Sequence, residues 1–100
     1  MPPLAYSGPL EEARRAVVDW IGREPRARLV ESDDIYLHAE FTSLLFRWVD
    51  DVELLFVPEE KLLHFRSASR VGHSDLGVNR RRMSRLSRDL SKSGFSPLVP

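Results

Sequence analysis

The stretch HFRSASRVGHSDLGVNRRRM, residues 64–83, holds the densest set of residues that could do chemistry. His73, Ser74 and Asp75 supply the three residue types of a serine hydrolase triad. Consecutive side chains rarely point at one another, however, and the sequence has no Gly-x-Ser-x-Gly elbow. Ser74 and Asp75 are better explained as caps for the backbone N–H groups at the start of the following helix.

An acidic pair, Asp50 and Asp51, is the second candidate. With His73 and Asp75 it offers oxygen and nitrogen ligands for a divalent metal. Adjacent strand residues point to opposite faces, so only one of the two aspartates can join a given site. Hydrogen bonds from arginines or loop N–H groups explain the pair better, because dedicated metal sites usually show clearer ligand spacing. A hydrolase or metal-assisted enzyme that uses these four residues is therefore the alternative to a binding function, and we expect neither a metal nor a cofactor.

Two histidines fall among charged residues on one predicted sheet face. His38 and His64 share that face with Glu40, Glu53 and Arg66. A histidine beside a carboxylate can act as an acid or a base. The same mixture is typical of the solvated side of a half-exposed sheet, which we favour.

The segment 66–80 combines glycines, serines and arginines ahead of a helix start. Gly72 and Gly77 permit unusual backbone angles, and N–H groups at a helix start favour anions, so one interpretation is an anion cradle. The other, which we favour, is a hydrogen-bonded corner in which the sheet's own acids pair with these groups, as buried polar groups usually do. The residues of this ligand-binding or structural network are Asp50, Asp51, Arg66, Ser67, Ser69, Arg70, Gly72, Ser74, Asp75, Gly77, Asn79 and Arg80.

Charge is unevenly distributed along a chain of zero net charge. Residues 31–60 carry nine acids against the single base Arg47, and residues 66–92 carry eight bases against two acids. Nucleic-acid binders usually show a clear basic excess, so we predict internal neutralisation and no nucleic-acid partner. The basic stripe of the last helix is then a solvated face; it comprises Arg81, Arg85, Arg88 and Lys92. The expected partner is a protein or a small anionic ligand.

Length and composition indicate one globular domain. The 100 residues are 42% apolar and 30% charged, with no cysteine that could form a disulfide or act as a nucleophile. No apolar run approaches the ~20 residues that span a bilayer, and the N-terminus lacks the pattern of a signal peptide. The sequence therefore predicts a cytoplasmic chain with no membrane partner.

The elements that position these residues follow from hydrophobic periodicity. A first helix is predicted from residue 10, with Ser7 as its N-cap and with Gly22 and Pro25 ending it. Its buried face is predicted to contain Leu10, Ala13, Val17, Trp20 and Ile21. A second helix is predicted over 78–90, with Asn79, Met83, Leu86 and Leu90 turned inward. Arg80 and Arg82 are expected to flank that stripe.

Four strands are predicted between the helices, over 27–31, 35–43, 47–57 and 61–69. In the third, Trp48, Val52, Leu54 and Phe56 share the core face. A four-residue PEEK loop between the last two strands places Glu53 opposite Arg66 and Asp50 opposite Ser69. The predicted fold is α+β, with a four-stranded antiparallel sheet and both helices on one face. Residues 1–93 form the domain and 94–100 a flexible tail.

Two segments together resemble a known family. The aspartate pair in FTSLLFRWVDDVELLF and the run Arg66, Ser67, Ser69, Arg70, Gly72, Ser74, Asp75, Gly77, Asn79 and Arg80 are similar to domain-of-unknown-function family 1499 of bacteria and plastids. The upstream PLAYSGPLEEA extends the resemblance over nearly the whole chain. Family relatives often carry a membrane anchor or an export signal. The resemblance implies a domain and supplies no chemistry.

Overall fold

A computed structural model describes residues 2–44, 47–70 and 77–97, and in them two α-helices and one 3-10 helix (Ser91–Ser93) accompany six strands. The elements are β1 (Leu4–Tyr6), α1 (Leu10–Arg23), β2 (Ala27–Ser32), β3 (Tyr36–Thr42), β4 (Val49–Val57), β5 (Leu62–Ser69), α2 (Val78–Leu90) and β6 (Phe95–Pro97). All strands pair antiparallel in one sheet of order β2-β3-β4-β5-β1-β6. The fold is α+β, as the sequence predicts.

The four predicted strands form the continuous part of this sheet. The β4–β5 hairpin has the predicted register, with Glu53 opposite Arg66 and Asp50 opposite Ser69. The four-residue connection keeps the apolar residues of both strands on the same face, whereas a one-residue slip would turn one set outward. The predicted hairpin is confirmed.

The prediction of four strands misses β1 and β6, which pair with each other and extend the sheet beyond β5. Residues 95–97 therefore do not belong to a flexible tail, because they form β6, and Phe95 is buried. Phe95 packs against Tyr6 of β1 with ring centroids 5.9 Å apart. Gly94, with a φ of 86°, allows the chain to turn into β6. Three-residue strands are too short to show an alternating pattern.

Both helices contribute to one buried cluster with the inward face of the sheet. The cluster contains Leu4, Tyr6, Ala13, Val17, Trp20, Ile21, Leu37, Ala39, Phe41, Val52, Leu54, Phe56, Leu63, Met83, Leu86, Leu90 and Phe95. The predicted faces of both helices are confirmed, with Leu10 at the edge of the cluster.

The termini of the helices differ from the prediction. The N-cap of α1 is Pro9, and Ser7 instead donates its backbone N–H to the carbonyl of Gly94. Gly22 lies within α1, which ends at Arg23. The N-cap of α2 is Gly77, at a φ of 81°, so neither Ser74 nor Asp75 occupies that position. A glycine reaches this left-handed conformation without the strain of a Cβ atom.

Trp48 does not join the core, contrary to the prediction. It precedes β4 and is 37% exposed, while Val52, Leu54 and Phe56 are buried as expected. The first inward position of β4 is Asp50, and this buried aspartate is bound by polar groups from α2 and β5.

Candidate functional site

A polar cluster lies between the sheet and the start of α2, and we call it the inner cluster: Asp50, Ser67, Ser69, Asn79 and Arg82. The Arg82 guanidinium donates from Nη1 to Asp50 at 3.1 Å, to Ser67 Oγ at 3.0 Å and to Asn79 Oδ1 at 2.8 Å. Ser69 Oγ donates to the other Asp50 oxygen at 2.7 Å, and Ser67 Oγ donates to Asn79. Among the described residues, no buried side-chain nitrogen or oxygen lacks a partner.

Arg82 has the most unusual environment in the inner cluster. It is only 8% exposed, and its guanidinium lies over the Phe41 ring at 4.6 Å from the centroid. A buried charge must be paired, and Asp50 supplies the opposite charge. No hydrogen bond from Arg82 Nε or Nη2 reaches another described residue, although Arg82 lines an open cleft. Arg82 therefore contributes a guanidinium that is already paired with Asp50 to the lining of that cleft.

Strand register and helical spacing build the inner cluster. Alternation along β4 turns Asp50 inward with Val52, and the hairpin register sets Ser69 opposite Asp50. Asn79 and Arg82 stand three positions apart on α2, so they share one helix face. The sequence correctly predicts that Asn79 faces inward. The prediction that Arg82 only flanks the apolar stripe of α2 is wrong, because Arg82 is buried.

A second network covers the opposite face of the sheet around Asp51. Arg70 donates to Asp51 from Nε at 2.7 Å and from Nη2 at 2.8 Å, and His38 Nε2 lies 2.7 Å from Asp51 Oδ1. Arg70 also pairs with Glu40, which accepts from Arg28 at 3.1 Å. The hydrogen bonds from Arg70, together with the contact to His38, hold the pKa of Asp51 at about 2. Hydrogen bonds from Arg70 and Arg28 also lower the pKa of Glu40.

Glu53 forms a smaller network on the same face. It accepts from the Tyr36 hydroxyl at 2.7 Å and from Arg66 Nε at 2.6 Å. These two hydrogen bonds lower the pKa of Glu53. The bond to Glu53 raises the pKa of Tyr36 to about 12, because it stabilises the protonated phenol. His64 is exposed nearby and lines a shallow pocket of about 280 Å³.

The two aspartates therefore belong to separate environments. Asp50 contacts groups from α2, whereas Asp51 contacts Arg70 and His38 on the other face. The two carboxylates therefore belong to different sites, as the alternation along the strand predicts; His73 and Asp75 lie outside the described residues. Within the described ranges, no three His, Asp or Glu side chains are grouped to hold a metal ion.

A cleft of about 530 Å³ opens beside the inner cluster, between α2 and the ends of β3 and β4. Among the described residues, its charged lining consists of four arginines against two carboxylates, namely Arg26, Arg81, Arg82 and Arg85 against Glu24 and Asp50. Glu24 pairs with Arg85, and Asp50 pairs with Arg82. We call this feature the arginine cleft. Its remaining lining includes Phe41, Leu44 and Val78.

The predicted site residues are thus divided between two faces. The structure brings Asp50, Ser67, Ser69 and Asn79 together inside, and it places Asp51, Arg66 and Arg70 outside. Gly77 caps α2, and Arg80 is exposed. Gly72, Ser74 and Asp75 lie outside the described residues. Sequence reasoning missed the roles of Arg26, Arg82 and Glu24. For Arg82, the signal was its spacing of three residues from Asn79 on the same helix.

The fold and the site define a small α+β domain with a buried arginine–aspartate pair at one end of its sheet. The family model described as "Protein of unknown function (DUF1499)" matches residues 1–90, and the chain belongs to that family. The resemblance predicted from the sequence is confirmed. Comparisons with curated proteins and with solved structures gave no match. None of the described helices has the length and apolar character needed to cross a membrane.

Proposed function

We propose that this domain is a non-catalytic binding module whose arginine cleft takes an anionic ligand bearing a carboxylate or phosphate group. The excess of arginines over carboxylates among the described residues that line the cleft carries this proposal. A concave site of one charge sign raises the local concentration of ligands of the opposite sign. The volume of about 530 Å³ lies in the range typical of small-molecule sites.

Arg82 is the side chain of the cleft whose guanidinium is held in place before a ligand binds. Asp50, Ser67 and Asn79 all hold its Nη1, and Phe41 supports the guanidinium plane. Arginine binds carboxylate and phosphate oxygens through parallel N–H groups, and Nε with Nη2 forms one such pair of donors. A guanidinium held in place before binding loses little side-chain entropy when the ligand arrives.

The charge pattern of the cleft supports binding over catalysis. Both carboxylates among the described lining residues, Glu24 and Asp50, pair with arginines. Each is therefore already engaged by a side chain of the fold. No histidine is among the described residues that line the cleft. A hydrolytic or metal-assisted reaction therefore has no support from this lining.

Calorimetric titration with pyrophosphate and with citrate tests the proposal. Arg26 lines the cleft, and no described residue forms an ion pair with it. Arg26→Glu should therefore leave the domain folded. It should weaken ligand binding about tenfold or more at low salt. The matched control is Arg66→Glu on the opposite face, where the side chain is 76% exposed. Equal affinities for both variants, or no heat of binding to the wild type, would overturn the proposal.

A cytoplasmic location and a protein partner remain parts of the same proposal. An anionic group can belong to a free metabolite or to an acidic segment of a protein, and both present the same oxygens to arginine. Fractionation of cells that express the tagged chain tests the location, because a cytoplasmic chain should appear in the cytosolic extract or on the cytoplasmic face of membranes.

A further inference from the structure

The loop between β3 and β4 presents apolar side chains beside the arginine cleft. Leu44 is 74% exposed, the most of any large apolar side chain described. The base of the loop is closed by Ser43 and Trp48, whose backbones pair at 2.8 Å while Ser43 Oγ accepts from the Trp48 N–H at 2.9 Å. Trp48 is itself partly exposed, as is Val78 at the start of α2. Leu44 is thus exposed next to a pair of residues, Ser43 and Trp48, that are joined by hydrogen bonds.

Arginines line the same clefts as Leu44. A second cleft, of about 400 Å³, joins Leu44 to Arg26 and Arg47. Both arginines have positive φ angles, 62° and 59°. Neither side chain makes a hydrogen bond or an ion pair with another residue in the described ranges. Arg81 and Arg85 line the arginine cleft together with Leu44, and Arg85 also pairs with Glu24.

We propose that this end of the domain docks on an anionic lipid surface, with Leu44 and Trp48 in the interfacial region and with lipid phosphates at the arginines. The inference rests on the proposed function, because the same arginines bind the anion. Tryptophan favours the membrane–water interface, and clustered basic residues are attracted to anionic leaflets. The sequence predicted no membrane partner because it lacks a spanning segment, and surface docking requires none.

The shape of the surface favours a lipid over an acidic peptide. A peptide that binds through apolar anchors needs concave apolar pockets to receive them. Here Leu44 lines the cleft together with the arginines and is still 74% exposed, so the cleft is open and does not enclose an apolar anchor. Protruding apolar residues among basic ones suit insertion between headgroups, where each arginine finds a phosphate.

Sedimentation with vesicles tests the inference on the whole chain. Vesicles of phosphatidylcholine with phosphatidylglycerol should bind it, vesicles of phosphatidylcholine alone should not, and added salt should weaken the binding. Trp48 provides an optical readout, because its emission should shift to the blue on binding while Trp20, only 2% exposed, contributes a constant background. Arg47→Ala should lower the apparent partition coefficient about fivefold.

Two matched variants distinguish insertion of Leu44 into the lipid surface from non-specific adsorption to vesicles. Leu44→Ser should abolish the blue shift, whereas Leu55→Ser should not, since Leu55 is 42% exposed on the opposite face. Pyrophosphate binding with no vesicle binding would overturn the lipid inference and leave the proposed function standing. Vesicle binding that is insensitive to Leu44 and Arg47 would also overturn it. The lipid inference would also be overturned if the chain bound a poly-glutamate peptide but not vesicles, and if Arg47→Ala weakened the binding of that peptide.

Discussion

Replacing Asp50 with alanine removes the only acid of the inner cluster and leaves Arg82 buried without its counter-charge. Ser69 also loses the acceptor that lies 2.7 Å from its hydroxyl. Breaking a buried ion pair from one side costs about 3–5 kcal/mol, because the remaining charge is uncompensated. Arg82 keeps its bonds to Ser67 and Asn79 and its contact with Phe41, so we expect the lower end, about 3 kcal/mol.

Asp51→Ala is the matched control, one residue along the same strand. Asp51 pairs with Arg70, whose side chain is 47% exposed, and solvent screens such a pair. Its loss should cost about 1 kcal/mol. Urea unfolding at neutral pH measures both variants, and the midpoint should move while the slope stays constant.

A double variant isolates the charge effect. Asp50→Ala with Arg82→Met removes both charges, and a well-packed apolar replacement of a buried pair is often neutral. The double variant should therefore be more stable than Asp50→Ala alone. The reasoning is refuted if Asp50→Ala lowers the free energy of unfolding no more than Asp51→Ala does. It is also refuted if Arg82→Met lowers that free energy as much in the Asp50→Ala background as it does alone.

Three further expectations concern the outer face and nucleic acid. The exposed pair Glu53 and Arg66 should couple by ~0.2–1 kcal/mol in a double-mutant cycle, and zero coupling would contradict the cross-strand contact. Because Arg70 holds the pKa of Asp51 at about 2, the stability from Asp51 is complete above the unfolded pKa of 3.8 and is lost as the pH falls toward 2. Asp51→Asn should reduce the dependence of the unfolding free energy on pH in this acidic range. An unchanged dependence would disprove the assignment. A fluorescent DNA duplex should not bind with a Kd of ~10⁻⁸ M or tighter at physiological salt, which anisotropy measures.

The middle of the fold could be predicted because its signals are local. Strands β3, β4 and β5 alternate clearly, and a short hairpin loop determines the register that brings Asp50 to Ser69. Each helix shows its buried face at helical spacing. These features depend on residues that are close together in the sequence.

The edge of the sheet could not be predicted because its signals are not local. Leu4, Tyr6 and Phe95 lie in proline-containing segments that are typical of loops. Their strand conformation depends on pairing between the first and last elements, which no short window of sequence reveals. The cleft escaped prediction for the same reason, since Arg26, Arg82 and Leu44 come from three separate segments.

The pairing of β1 with β5 and β6 also sets an order of events during synthesis. Leu4 leaves the ribosome first, but its partners, Leu63 and Pro97, are among the later residues to emerge. The β2–β3–β4–β5 meander can assemble as it appears, since each strand meets its neighbour through a short connection. The apolar residues of β1 remain exposed until β5 arrives, and the sheet is completed only once Phe95 is clear of the exit tunnel. Nascent chains in which β5 is still inside the exit tunnel should therefore be sensitive to protease at β1, and chains in which Phe95 has cleared the tunnel should be protected there.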